Sequence, residues 1–200
     1  MIDQLPTFNQ LLKTLQQVPY LSSKNLYKVA DFFLRADAKK IEQFCAVLLM
    51  TQERVKPCPV CFCWYEVHAQ CHLCADQKRD QKTVCVVETW QEMLVIEKTK
   101  GFTGVYHVLG GVISPIDGVG PDDLSIDALV ARVKEKGITE LILATNQTPE
   151  GEATAAYIAK LVQETGVKVS CLARGLPVGS SIEIMDRLTV FKALAERRPF

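Results

Sequence analysis

The chain lacks most of what would mark a membrane protein or a nucleotide hydrolase. No run of apolar residues approaches the roughly 18 to 20 that a bilayer span needs, and Met1 to Gln10 has neither the basic start nor the apolar stretch of a secretory signal. The cytoplasm is therefore the expected compartment. Neither sign of charge is in excess, since 23 Lys and Arg stand against 23 Asp and Glu. A global positive field that would draw the chain onto nucleic acid or anionic lipid is excluded, so any contact with DNA has to be local. No Gly-x-x-x-x-Gly-Lys-Ser/Thr loop occurs, so Ile182 to Met185 before Asp186 is not the strand of a P-loop ATPase. Internal repeats and low-complexity tracts are absent as well.

What is present is a hydrophobic content of 48% with 23% charged residues over 200 positions, enough to bury a substantial core in one large or two small domains. The first fifty residues have helical spacing: Phe8, Leu11, Leu12, Leu15 and Val18 form one apolar stripe. Ser22 or Ser23 is placed to cap a second helix with Leu26, Val29, Ala30 and Phe33 facing inward. Asp37 is placed to cap a third whose Ile41, Phe44, Cys45 and Leu48 are expected in the core.

After Asp80 strand and helix signals alternate. Strands are expected at Val84 to Glu88, Val105 to Leu109, Leu141 to Thr145 and Val167 to Leu172. Helices are expected near Trp90 to Glu97, Ile126 to Val133 and Ala153 to Val162. Such alternation predicts a mostly parallel α/β sheet. Gly101, Gly137 and Gly166 follow helical stretches, where a left-handed terminating residue is wanted. Gly110 to Asp123, rich in Gly, Pro and Asp, reads as a long functional loop.

Between these parts lies the strongest local signal. Eight cysteines in a reducing compartment read as metal ligands and small buried hydrophobes, not disulfides. Cys58-Pro-Val-Cys61, nine intervening residues, and Cys71-His-Leu-Cys74 make two knuckles, each able to give two thiolates to one ion. Four sulfurs complete a closed tetrahedral zinc site that contributes folding energy and leaves no position for catalytic water. Cys63, His68 and His72 compete as ligands, but only the four cysteines make both halves match. Cys45, Cys85 and Cys171 sit in apolar contexts suited to small buried hydrophobes.

Ligands of open α/β sheets bind beyond the carboxyl ends of the strands, which would set Glu88 and the pair Glu150 and Glu152 around one crevice. The alternative is that the two glutamates merely favour a helix N-terminus. Val84-Cys-Val-Val-Glu88 together with Ala144-Thr-Asn-Gln-Thr-Pro-Glu-Gly-Glu-Ala153 resembles the Toprim domain of topoisomerases, primases and repair nucleases. Catalytic members carry Asp-x-Asp after the third strand for magnesium, where this chain has Asn146 and Thr148. The resemblance therefore implies a degenerate crevice, used for partners or structure.

Helices, a four-cysteine module and this Toprim domain, in that order, resemble the RecR family of bacterial recombination proteins over nearly the whole chain. Ser114-Pro-Ile-Asp-Gly-Val-Gly-Pro-Asp-Asp123 and Gly175-Leu-Pro-Val-Gly179 add to the likeness. The resemblance implies an α+β protein in four parts: a helical, degenerate helix-hairpin-helix region at 1–55, a zinc finger at 56–76, a Toprim domain at 81–176 and an oligomerisation segment at 177–200. It further implies one structural zinc ion per chain, no catalytic activity, a tetrameric ring able to encircle DNA, binding of RecO and RecF, and help in loading RecA at gaps. The family's hairpin reads Pro-Gly-x-Gly-Pro-Lys, whereas Pro19-Tyr20-Leu21-Ser22-Ser23-Lys24 here lacks both glycines. A tyrosine in a left-handed position would be strained, so an altered hairpin is expected. Lys24 and Lys28, basic in the family and four apart on one helix face, are the candidate phosphate contacts, against the alternative of a solvated surface pair. Val190, Leu194 and the tail Arg197-Arg198-Pro-Phe200 are expected to pack on a neighbouring subunit. A magnesium-dependent Toprim nuclease or topoisomerase, and a zinc module with no nucleic-acid role, are the competing functions.

Overall fold

The computed structural model describes residues 5–197 and residue 199. The readings of Met1 to Gln10 and of the tail therefore fall partly outside the described residues. The chain divides into two compact units, Met1–Val55 and Lys56–Phe200.

In the first unit α1 (Pro6–Gln16), α2 (Ser23–Arg35) and α3 (Ala38–Arg54) follow one another. Pro6 opens α1, where its missing N–H is no loss. Leu12, Leu26 and Ala30 are buried where α1 meets α2, with Phe8, Leu11, Leu15 and Leu21 packed around them. Val18 lies past the end of α1 and is exposed. Between the helices Tyr20 takes a left-handed backbone, φ 65, with its ring fully in water. The left-handed turn is thus kept without glycine at a cost of about 1–2 kcal/mol, and no packing contact hinders it.

The core assignment of the third helix is corrected. Asp37 does cap α3, accepting from the Lys39 N–H at 3.0 Å, but none of its residues is buried. Phe44 is 50% and Leu48 54% exposed. Periodicity reports that a stripe is apolar, not what covers it.

From the boundary between the units onward, the paired strands β1 (Val55–Pro57) and β2 (Trp64–Glu66) and the short α4 (His72–Ala75) frame the cysteines. Then come β3 (Asp80–Val87), α5 (Trp90–Lys98), β4 (Gly104–Val108), α6 (Ile126–Glu135), β5 (Glu140–Leu143), α7 (Pro149–Val162), β6 (Lys168–Cys171) and α8 (Arg187–Ala195). The four strands β3 to β6 form one sheet in the order β4-β3-β5-β6, all pairs parallel. Val84 to Val87 of the central β3 are all buried, as a strand covered on both faces requires.

Alternate residues of the sheet serve two separate cores. Val84, Val86, Val105 and Leu141 pack with Leu129 of α6 and Ile158 of α7. Cys85, Val87, Tyr106 and Val108 face the other way, against Met93 of α5, Leu73 and the cysteine module. That module also covers the free edge of the sheet, because the Val108 N–H donates to the Cys61 carbonyl at 2.9 Å.

Three smaller expectations change. The left-handed residue after α5 is Lys100, φ 54, not Gly101, while Gly137 and Gly166 do take positive φ. Of the three cysteines expected as buried hydrophobes only Cys85 is buried; Cys45 and Cys171 are exposed, the latter closing the edge strand β6. The helix expected from Ala153 begins at Pro149, so Glu150 and Glu152 lie inside its first turn. The loop from Gly110 is pinned, Ser114 bridging to Val119 and the Ile113 N–H donating to Thr154 Oγ1 at 2.9 Å.

Candidate metal centre and sheet crevice

The first knuckle is a turn in which the Phe62 N–H donates to the Cys58 carbonyl and the Cys58 N–H to the Cys63 carbonyl. Phe62 passes it with φ 59, its ring set 5.2 Å from that of the buried His107. The second knuckle is the start of α4, where the Ala75 N–H donates to the Cys71 carbonyl. These local folds converge the sulfurs of Cys58, Cys61, Cys71 and Cys74 to within 4.8 Å of one another. Cys58 and Cys74 Sγ lie 3.9 Å apart, Cys61 and Cys71 Sγ 3.6 Å. A tetrahedron with metal–sulfur bonds of about 2.3 Å has edges of about 3.8 Å, so the geometry fits a four-thiolate ion. Of the competing ligands His68 and His72 are exposed, while Cys63 is buried beside Cys61 without joining the group of four sulfurs.

The Cys74 thiol is pushed up by its hydrogen bond with Cys61 and by burial, and the Cys61 thiol by its hydrogen bond with Cys63 and by burial. Cys85, on the sheet beside the module, is pushed up to about 12 by burial alone and is inert as a nucleophile. Burial likewise lowers His107 to about 4, so it is neutral at physiological pH and accepts or donates through Nε2 to Ser125.

The second place where ligand-type residues meet is at the carboxyl ends of β3 and β5. Glu88, 7% exposed, follows β3 directly. Its Oε1 accepts from the Asn146 N–H at 2.6 Å and its Oε2 from Asn146 Nδ2 at 2.7 Å. The same Nδ2 donates to Glu92 Oε1 at 2.7 Å. Glu92 is held in turn by a capping box at the start of α5, its other oxygen accepting from the Thr89 N–H at 2.9 Å. One neutral amide thus bridges two carboxylates. Thr148, the second residue at an Asp-x-Asp position, is the N-cap of α7 and accepts from the Gly151 N–H at 3.1 Å.

Of the remaining acidic residues, Glu152 is not drawn to Glu88. It pairs with Lys192 of α8 at 2.9 Å and with Arg174 at 3.5 Å, and these cations hold its carboxyl below the usual range. The Glu150 carboxylate has no partner among the described residues. Two contributors escaped the sequence reading. Glu92 had a signal in Thr89-x-x-Glu92, the spacing of a capping box. Gly151 had none: a Cβ there would stand 2.3 Å from the Asn146 carbonyl and 2.8 Å from Glu88 Oε1.

In the N-terminal unit Lys24 and Lys28 are exposed on α2, and neither makes an ion pair with a described residue. Lys28 lines a shallow apolar depression with Leu21, Val29, Phe32 and Phe33.

A parallel sheet with a glutamate ending its central strand, and a polar turn into the next helix from the neighbouring strand, defines a Toprim-class protein. The Toprim domain family model matches residues 82–173, and a second model described as RecR, C-terminal, matches residues 175–198. The recombination protein RecR of Acidothermus cellulolyticus is 46% identical over 188 residues, 94% of either chain. That of Thermobifida fusca is 44% identical over 188 residues, again 94% of either chain, and that of Syntrophotalea carbinolica 41% over 198, 99% of either chain. The chain belongs to the RecR family.

Proposed function

We propose that the protein is a non-enzymatic subunit of a DNA clamp in recombinational repair. It acts in the bacterial cytoplasm with RecO and RecF to help load RecA at gapped or damaged DNA, and it assembles as a tetrameric ring. Membership of a family of recombination proteins supports the pathway. The observation that carries the non-enzymatic part is the Asn146 amide lying between Glu88 and Glu92. A dication that dehydrates reluctantly needs carboxylates free to accept it, and here both are already satisfied by a neutral donor.

In this reading Cys58, Cys61, Cys71 and Cys74 hold one zinc ion, which supplies a cross-link and no open coordination position. The ion ties the hairpin of β1 and β2 to α4 and so supports the edge of β4. Glu88 and Asn146, with Glu150 and Glu152 on the first turn of α7, serve structure or partners; Glu152 is tied to Lys192 and Arg174, which leaves Glu150 as the carboxylate open to another chain. Lys24 and Lys28 contact phosphates. The exposed apolar stripe of α3 and the exposed Leu188, Phe191 and Leu194 of α8 suit burial between subunits.

Two lysines per subunit release few counterions, so the free protein should bind DNA weakly and with a shallow dependence on salt. Titration of labelled gapped DNA at several salt concentrations, with and without RecO, tests this. Binding should tighten several-fold with RecO, and weaken in Lys24→Ala/Lys28→Ala. Salt-insensitive nanomolar binding by the protein alone would contradict it. Supercoiled plasmid incubated with the metal-free protein plus magnesium or manganese should stay intact; cutting abolished by Glu88→Gln would establish the enzymatic alternative instead.

A further inference from the structure

Arg132 of α6 is 6% exposed, and a buried guanidinium is almost never left without a carboxylate. This one has none among the described residues. Its Nη1 donates to the Tyr106 carbonyl of β4 at 2.8 Å, and its Nε is buried with no acceptor. What it does face is a cavity of about 630 Å³ lined by Cys58, Cys71 and Cys74, with the exposed Lys136 at the same opening.

The charge of the metal centre explains the arrangement. Four thiolates and one dication carry a net charge of −2, and Cys58, Cys61 and Cys71 are buried. Such a dianion needs a cation that water does not screen, and a buried arginine supplies one, whereas Lys136 sits in solvent where its field is weak. We propose that Arg132 is the counterion of the zinc–tetrathiolate centre, a positioning residue that couples metal retention in the finger to α6 and the β4 edge of the Toprim sheet. The coupling rests on the zinc reading above, and extends it to a residue outside the finger.

The route is short. Arg132 grips the Tyr106 carbonyl; two residues on, Val108 hydrogen-bonds the carbonyl of the ligand Cys61. Removing the guanidinium therefore leaves the dianion uncompensated, and partners beyond the direct ligands commonly change metal affinity by about 10- to 100-fold.

The test uses the full-length protein with its zinc as purified, and follows zinc transfer to an excess of a chromogenic chelator. Arg132→Met should release zinc at least tenfold faster, and Arg132→Lys, which keeps the charge, should stay within about threefold of the parent. Ile158→Ala, a cavity in the opposite core, serves as a control of lowered stability away from the metal. The proposal is overturned if Arg132→Met releases zinc at the parent rate, if Arg132→Lys releases it as fast as Arg132→Met, or if Ile158→Ala accelerates release as much. Absence of stoichiometric zinc from the parent protein would refute the metal reading itself, and with it this coupling; normal zinc with an unchanged rate would refute the coupling alone.

Discussion

The cysteine cluster and the crevice of the sheet are both places where the chain gathers metal-ligand chemistry, and local hydrogen bonding has sent them opposite ways. In the cluster the side chains converge on one centre. The sulfurs stand at tetrahedral spacing and touch one another and backbone donors such as the Val60 N–H, 3.5 Å from Cys58 Sγ, contacts that leave each thiolate a lone pair for an ion. In the crevice a donor already fills the centre, since the Asn146 amide takes one oxygen from each of Glu88 and Glu92. Residue type nominates a metal site; what decides it is whether the ligand atoms keep their lone pairs.

The largest effect expected from breaking this contrast is on the cluster side. Cys71→Ser, or exhaustive chelation, should cost about 5 kcal/mol or more and lower the midpoint of thermal unfolding by at least about 10 °C. Zinc content and melting curves measured together would check it, and an unchanged melting point on metal removal would count against a structural ion. On the crevice side Gly151→Ala comes next, at about 3 kcal/mol. The added methyl meets the Asn146 carbonyl, a backbone atom that cannot move aside without pulling the amide from its two carboxylates. Denaturant titration measures the loss, and a variant as stable as the parent would mean that the crevice has slack the packing does not show.

How far each region was legible follows the range of its contacts. The cluster is local in sequence, so its spacing was enough to nominate its four ligands. The strands β3 to β6 were legible because their apolar runs are short and bounded by helical stretches. The bridge through Asn146 spans 58 residues to Glu88 and 54 to Glu92, and no periodicity encodes such a meeting. Glu152 illustrates the same limit. Its neighbour Glu150 and its place before the helical run suggested the crevice, but the cation that claims it arrives from α8, 40 residues later. Arg132 gave no signal at all, since an arginine in an amphipathic helix ordinarily points to water. For α3 the helix and its cap could be read while its burial could not, because a stripe such as Phe44 and Leu48 is the same whether its own chain covers it or another does.

Asn146→Asp is the substitution that would convert the crevice into the cluster's kind of site. Three carboxylates would then face one another without the bridging donor, at a cost of about 2 kcal/mol at neutral pH in metal-free buffer. Millimolar magnesium or manganese should restore that loss, raising the melting temperature of the variant and leaving the parent's unchanged. A variant indifferent to both cations would show that closure of the crevice depends on more than the amide.

Thr148→Asp should have the smallest effect, and it separates the role of Thr148 from that of Asn146. Thr148 works as the N-cap of α7 through one acceptor oxygen. Aspartate is at least as good a cap and places its charge favourably at the helix N-terminus. The single variant should therefore lie within about 0.5 kcal/mol of the parent, whereas Thr148→Ala, which removes the acceptor, should lose about 1 kcal/mol. Alone, Thr148→Asp should give no response to magnesium, because Asn146 still satisfies Glu88 and Glu92. Combined with Asn146→Asp it should deepen the magnesium response beyond that of Asn146→Asp by itself. If the single Thr148→Asp protein already melts higher in magnesium, the closure of the crevice lies at the cap and not at the amide between the two glutamates.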